Sequence, residues 1–351
     1  MSKKVILIIA AVLLVTAGTL GGLAYVVFQD TGRAMFWAYR TAMLVATRGG
    51  PEIVLEVDAD AVRQRAYELL RRSAVLHLRD AKLSFNTRLT DAGVEVAAKE
   101  ADRENVLNVL RSKLASTVDI RLADDGVVHI GLSDEMLAKR TAETAEQTQL
   151  LLSGRMLDLE MKVAVSLQQR PAGNPRLIVH MARSEDPQRV LALVSKPGVV
   201  AFRMIDVSTT PEKALKSAPP ANAEILYGRE EEGKLSYLVE KRAILSGSDL
   251  AHAEPSYDER TNEPVVSFRF SAAGTRKFAQ ATSENVGRPF AIVVDNEVVS
   301  APIIREPITG GSGQISGNFT TRAASELAAV LRYGELPARL KVVEEHAAKA
   351  R

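Results

Sequence analysis

Apolar positions along the chain follow three different patterns. Val5–Phe28 reads VILIIAAVLLVTAGTLGGLAYVVF, 24 residues without a charge. At about 1.5 Å per residue such a helix is roughly 36 Å long, enough to cross a hydrocarbon layer of about 30 Å with some tilt. A cleaved leader competes with this reading, because Val15-Thr16-Ala17 has the small residues of a cleavage site. The run is longer, however, than the about 7–15 residues of a leader's apolar core. The expectation is a retained membrane anchor at residues 1–28. Lys3 and Lys4 lie on one side and Arg33 and Arg40 on the other, so charge sets its orientation only weakly.

A juxtamembrane connector, 29–47, leads to segments of alternating and helical period. Glu52–Asp58 (EIVLEVD) alternates as a half-buried strand. Asp60–Arg79 sets Val62, Ala66, Leu69, Leu70, Ala74 and Leu76 at helical spacing, and its other face carries Arg63, Arg65, Arg71 and Arg72. That basic face reads first as solvated, with contact to anionic lipid as the alternative. Strands near Leu83–Thr87 and Val94–Ala97, a helix at Arg103–Leu114, and strands near Thr117–Leu122 and Val127–Gly131 follow. This order predicts a ferredoxin-like split βαβ unit over 48–132. A second such unit over 133–206 takes a helix at Ser133–Leu152, strands at Lys162–Gln168 and Arg176–Met181, a helix at Asp186–Ser195 and a strand at Val199–Ile205. Residues 207–224 are rich in Ser, Thr, Pro and Ala and read as a linker.

The block 225–337 carries the sharpest local signals. Val265–Phe270 alternates as a strand, Ser271 caps a helix over Ala272–Asn285, and Gly287 stops it. Ala291–Val294 and Val298–Ser300 flank Asp295-Asn296-Glu297 as a tight hairpin. Thr320 or Thr321 starts a helix with Ala324, Leu327, Ala328 and Leu331 on one face, ending at Gly334 before Pro337. Residues 338–351 form a return strand and tail. The predicted fold class is α+β: a single N-terminal transmembrane helix, two ferredoxin-like units and a larger α+β unit.

Composition removes most chemistry. With 46% hydrophobic and 25% charged residues the chain supports two or three ordinary cores. A net charge of +2 and 5% aromatics offer neither a field nor a stacking platform for nucleic acid. The absence of cysteine removes disulfides, thiolate nucleophiles and cysteine metal sites. His77, His129, His180, His252 and His346 show no metal-ligand spacing. Glycine-rich Gly310–Gly317 lacks the lysine of a phosphate loop and the spacing of a dinucleotide fingerprint. It reads as a flexible or sharply turning loop that uses positive φ. The expectation is a non-enzymatic chain with no catalytic, metal or cofactor site and no nucleotide or nucleic-acid partner.

Several motifs then occur in order: Gly287–Asp295 (GRPFAIVVD), Ser300-Ala301-Pro302, Glu306–Gly313 (EPITGGSG), Gly317-Asn318-Phe319 and Gly334–Pro337 (GELP). Together they resemble SecD, the accessory subunit family of the bacterial Sec protein-export machinery, in the head of its first periplasmic domain. Arg48, Gly49 and Gly50, followed by Val54–Asp58, are similar to the turn and strand that lead into the family's base. Pro187–Met204 is similar to the helix and strand that lead from base to head. Three stretches depart from the family pattern. Val45-Ala46-Thr47 stands where it has Leu-Asp-Leu, Arg155–Met161 lacks the glycine of its Arg-x-x-x-Leu-Gly-Val, and Met181-Ala182-Arg183 replaces its Leu-Pro-Gly.

The resemblance implies a loop motif at Gly310, Gly311, Ser312, Gly313, Gly317 and Asn318, and base–head connectors near 205–225 and 334–340. It also implies an inner-membrane location with the soluble bulk on the periplasmic side. The implied partners are a SecF-like subunit, the SecYEG channel and unfolded secretory polypeptides. Phe268, Phe270, Phe278, Phe290 and Phe319 are candidates for polypeptide contact, weighed against the core role that hydrophobicity alone favours. The family couples proton flow through ionisable residues in five further membrane helices, for which the sequence stops too early. Val5–Phe28 holds no ionisable residue, so energy coupling is expected from partner subunits. A divergent paralogue serving another envelope complex, or a truncated SecD, are the alternatives.

Overall fold

The computed structural model describes Met43 and residues 47–114, 118–170, 173–228 and 235–348. The anchor expected at Val5–Phe28 and most of the connector at 29–47 lie outside the described residues. Among those described, no helix is long and apolar enough to cross a membrane. The elements begin with β1 (Glu52–Val57), α1 (Ala59–Asp80), β2 (Phe85–Thr90), β3 (Gly93–Ala98), α2 (Arg103–Leu114), β4 (Asp119–Leu122) and β5 (Val128–Gly131). Next come α3 (Asp134–Asp158), β6 (Val163–Gln168), β7 (Arg176–Met181), α4 (Pro187–Ser195), β8 (Val200–Ile205), α5 (Pro211–Ser217), β9 (Ala223–Gly228) and β10 (Ser236–Ser246). The chain ends with β11 (Leu250–Tyr257), β12 (Pro264–Phe270), α6 (Ala272–Glu284), β13 (Phe290–Val294), β14 (Glu297–Ser300), β15 (Ser312–Ile315), α7 (Thr321–Tyr333) and β16 (Leu340–His346).

Sheet pairing corrects the expected unit boundaries. β1 does not join β2–β5; it is an inner strand of an antiparallel sheet ordered β16-β1-β7-β6, with Leu55 opposite both Leu177 and Val342. Ile53, Leu55 and Val57 are buried on its core face, while Glu52 and Glu56 on the other face pair with His180, Arg170 and Arg176, the alternation of an antiparallel strand with one packed face. One face packs Leu152 and Met156 of α3 and Val190, Leu193 and Val194 of α4 against Leu55, Val165, Leu177 and Val179. This is the base. The strands β2-β3-β5-β4 form a separate four-stranded sheet, covered by α2 and the second half of α1 through Tyr67, Leu70, Ala74, Leu78, Val106 and Leu110. The first expected unit is therefore an insertion in the base, not its predecessor. α1 bridges the two, since Val62 near its start packs with Val57, Ala145 and Ala338.

The periodicity of α1 also needs correction. Its buried positions are Val62, Ala66, Tyr67, Leu70, Ala74 and Leu78, while Leu69 and Leu76 are 54% and 59% exposed.

The head combines a closed five-stranded barrel, β10-β8-β13-β14-β9, with a three-stranded sheet, β11-β12-β15. β8, expected in the second base unit, instead pairs with β10 and β13. Residues 207–224 are no linker: Thr210 caps α5, Pro211 opens it, and Ala214 packs under Ala223 and Leu238. Asp295 and Asn296 both have positive φ, 51° and 66°, the requirement of a two-residue turn whose twist matches its strands. The loop expected at Gly310–Gly317 includes a strand, since Ser312–Ile315 pairs with Val266–Arg269.

Candidate functional site

The chain passes between base and head twice, from α4 to β8 through Lys196–Val199 and from α7 to β16 through Gly334–Arg339. Both passages meet one side chain. Arg155, in the last turn of α3, is 1% exposed. Its Nη1 donates to the Lys196 carbonyl at 3.0 Å, and its Nη2 donates to the Pro197 and Gly334 carbonyls at 3.3 and 2.5 Å. Leu336 N–H donates to the Pro197 carbonyl at 2.7 Å, tying the passages to each other. Gly198 has φ +80°, and a Cβ there would fall 2.3 Å from Arg155 Nη2 and 2.9 Å from the Gly334 oxygen. Only glycine fits that backbone and that space.

A carboxylate closes the arrangement from the head. Asp295, in the β13–β14 turn, accepts the N–H groups of Gly198 and Val199 at 2.8 Å each. Burial pushes the Arg155 guanidinium down to about 10, with the Asp295 charge opposing that fall. The group stays a cation at neutral pH and is stabilised by carbonyl dipoles, which suits a rigid fork with five donors.

Around this clasp, base helices hold the end of α7. A Cβ on Gly154 would lie 2.3 Å from the Tyr333 ring, so the missing side chain is what lets the ring approach α3. Tyr333 donates to Asp158 at 3.2 Å; burial first, then the Asp158 charge, push its phenol up to about 12, leaving it a neutral donor. Arg332 pairs with Asp158 and donates twice to the Ala253 carbonyl, at 2.9 and 2.8 Å. Arg189 of α4 meets Glu326 at 3.0 Å and Arg65 of α1 meets Glu335 at 2.9 Å. Beside these contacts lies a cleft of about 500 Å³, lined by Arg65, Val199, Ser246–Ser248, His252 and Tyr333–Glu335. The arrangement positions two bodies; its ionic groups are consumed in holding backbone and one another.

The chain is similar to known proteins over most of its length. Residues 223–338 match the family described as SecDF, P1 head subdomain. The protein translocase subunit SecD of Rickettsia bellii is 31% identical over 300 residues, covering 85% of this chain and 57% of that protein. SecD of Acetobacter pasteurianus is 32% identical over 305 residues, with the same coverage. A solved structure described as a membrane component SecDF that enhances protein export is 32% identical, covering 58% of this chain and 93% of its own, with a TM-score of 0.44. The chain is SecD-like. It spans somewhat over half the length of the curated SecD relatives it matches.

The five phenylalanine candidates for polypeptide contact are corrected to core. Phe268, Phe270, Phe278, Phe290 and Phe319 are 6%, 3%, 2%, 5% and 9% exposed. Four of them form a chain of tilted and edge-on rings with Phe202, centroids 5.0–6.3 Å apart, a favourable aromatic geometry. Their surface is spent on the head core. The glycine motif serves packing as well: a Cβ on Gly311 would strike Thr275 Oγ1 at 2.1 Å, and one on Gly313 the Phe268 ring at 2.8 Å. Gly317 passes close to the Val299 carbonyl, 2.9 Å from where its Cβ would be. Asn318 turns with φ 48°, and Ser312 lies exposed on β15. Gly310 is exposed with open space around it.

Arg48, Gly49 and Gly50 lie far from the phenylalanines in sequence and make the turn that starts β1. Arg48 is exposed, Gly49 has φ +73°, and a Cβ on Gly50 would fall 1.9 Å from the Met181 carbonyl oxygen. Met181 N–H donates to the Pro51 carbonyl at 3.0 Å in the same place. A Gly50→Ala chain is expected to lose more than about 3 kcal/mol of stability, because backbone cannot yield as a side chain can. Urea titration of the purified variant checks this, and a loss below about 1 kcal/mol would contradict the close approach.

The clasp residues were not singled out as a site from the sequence. In the sequence Arg155 stands out only within a departure from the family pattern. Its visible signal was a lone cation between Leu152 and Met156 on the apolar stripe of α3, where a charge needs dedicated partners.

Proposed function

We propose that this chain is the gripping part of a Sec protein-export accessory subunit, held at the bacterial inner membrane with base and head on the periplasmic side. The head contacts unfolded polypeptide leaving the SecYEG channel and aids its release. It carries out no covalent chemistry, and the energy comes from partners such as a SecF-like subunit. One observation carries this reading: two bodies with separate cores are joined by two short passages that converge on Arg155. Such a joint controls where a head stands relative to its support. The naming of the relatives as protein translocase subunits supplies the process.

Contact with a chain of no fixed sequence needs strand edges and accessible apolar surface. β11 and β15 are the edges of the three-stranded sheet, and Tyr257 at the end of β11 is 50% exposed. Photo-crosslinkers placed at Tyr257 and Gly310 are expected to form adducts with a secreted protein arrested during export. Adducts only to other envelope proteins would instead favour an assembly role, that of a divergent paralogue.

A further inference from the structure

The face of α1 turned away from both cores has an unusual composition. Arg65, Leu69, Arg72, Leu76 and Arg79 follow one another at spacings of four and three, which puts them in one row along the helix. All five are exposed, the two leucines by 54% and 59%. Arg65 is engaged by Glu335, where the row reaches the base–head cleft. Arg71, Arg72 and Arg79 form no ion pair with any described carboxylate. Glu68 is the one acidic residue between Arg65 and Arg79. A merely solvated helix face would mix both signs and keep its leucines inside.

We propose that this row lies on the anionic headgroup surface of the bilayer, with Leu69 and Leu76 entering the interface and Arg72 and Arg79 meeting lipid phosphates. Alternating cationic and apolar side chains on one helix face is the chemistry that an anionic lipid surface accepts. Placement agrees with composition. Residues 29–58 join α1 to Val5–Phe28, the run long enough to cross a bilayer, and they span at most about 100 Å when extended. The tether keeps the row within reach of a surface at high effective concentration. A protein surface with acidic patches is the competing occupant; it would not call for two leucines spaced a heptad apart among unpaired arginines. The inference stands on α1 and on the apolar run, independently of any role in export.

The absence of cysteine allows a direct test on the full chain. Leu76→Cys and, separately, Leu69→Cys are labelled with an environment-sensitive fluorophore and reconstituted into phosphatidylcholine vesicles with or without phosphatidylglycerol. Ser112→Cys on α2, which is exposed on another face, is the control. With phosphatidylglycerol, emission from 69 and 76 is expected to shift to the blue and become shielded from an aqueous quencher, while 112 is unchanged. Adding Arg72→Glu and Arg79→Glu is expected to reduce docking about thirtyfold or more, given the worth of two cations at an anionic surface. Equal quenching in the two lipids, an equal change at 112, or shielding that appears only when a partner protein is added would each overturn the proposal.

Discussion

An Arg155→Met chain is expected to lose about 3 kcal/mol of stability and to release the head from its position on the base. Methionine fills much of the apolar stem's space but donates nothing, so the Lys196 and Gly334 carbonyls lose their donor, while that of Pro197 keeps the Leu336 N–H. Each carbonyl left buried and unpaired costs about 1–3 kcal/mol, against which stands the relief of no longer burying a charge. The net is a loss, because two carbonyls depend on a single cation. Arg155→Lys should fall between the two, since one ammonium cannot span both passages as a planar fork does. Hydrogen exchange supplies the decisive reading: the Gly198, Val199 and Leu336 amides, now bonded to Asp295 and Pro197, should exchange much faster, while Val179 in the base sheet keeps its protection. Uniform loosening of base and head would mean the arginine supports general stability. Unchanged exchange at the passages would remove the clasp altogether. The exposed Arg65–Glu335 pair sets the scale for comparison, as its loss should cost less than about 1 kcal/mol.

Local structure was largely legible because its causes are local. Ser271, Thr320 and Ser133 each cap the helix that the pattern predicted, with hydroxyls accepting N–H bonds at 3.1–3.2 Å. The two-residue turn at Asp295-Asn296 needs left-handed backbone, and both residue types tolerate it. Partnership was not legible in the same way. β1 carries no mark saying that it pairs with β7 and β16, strands more than a hundred residues away, and not with its near neighbours β2 and β3. The insertion between β1 and β6 places sequence neighbours in different sheets, so element order alone suggested two successive ferredoxin-like units. β8 is another such case: it follows base helix α4 in sequence, but its residues Phe202 and Met204 belong to the head core.

α1 shows a subtler failure. Leucines at 69 and 76 fit a helical apolar face, yet the buried row is Val62, Ala66, Leu70, Ala74 and Leu78, with Tyr67 beside it. Small alanines let two helices approach and therefore line the packed side, and a count of apolar residues cannot express that. At the junction, the signal was a charge in an apolar row. Its partners are backbone carbonyls, which leave no trace in residue identity.

Replacing Phe202 with alanine is expected to cost the head about 3–5 kcal/mol, the largest effect of a single core truncation here. Phe202 is 0% exposed and its ring meets those of Phe268, Phe270 and Phe278 at 5.6, 5.1 and 6.3 Å. It stands on β8 of the barrel, whereas Phe268 and Phe270 stand on β12 of the second sheet and Phe278 on α6. One ring thus joins three layers, and a cavity at that point separates them. Because the base has its own core, thermal unfolding of Phe202→Ala should resolve into two transitions, with the head melting first and the base near its original temperature. Phe202→Leu, which retains more volume, should cost less than half as much. The same measurement on Phe268→Ala checks the core role of the head phenylalanines. A residue that contacts polypeptide can be truncated with little change in stability and a loss of crosslinking, whereas a core residue lowers the head transition first. Phe202 lies three residues beyond Val199, whose N–H is held by Asp295. Loosening the passage with Arg155→Met should therefore reduce the further penalty of Phe202→Ala, and the shortfall from additivity measures how firmly the clasp positions the head core.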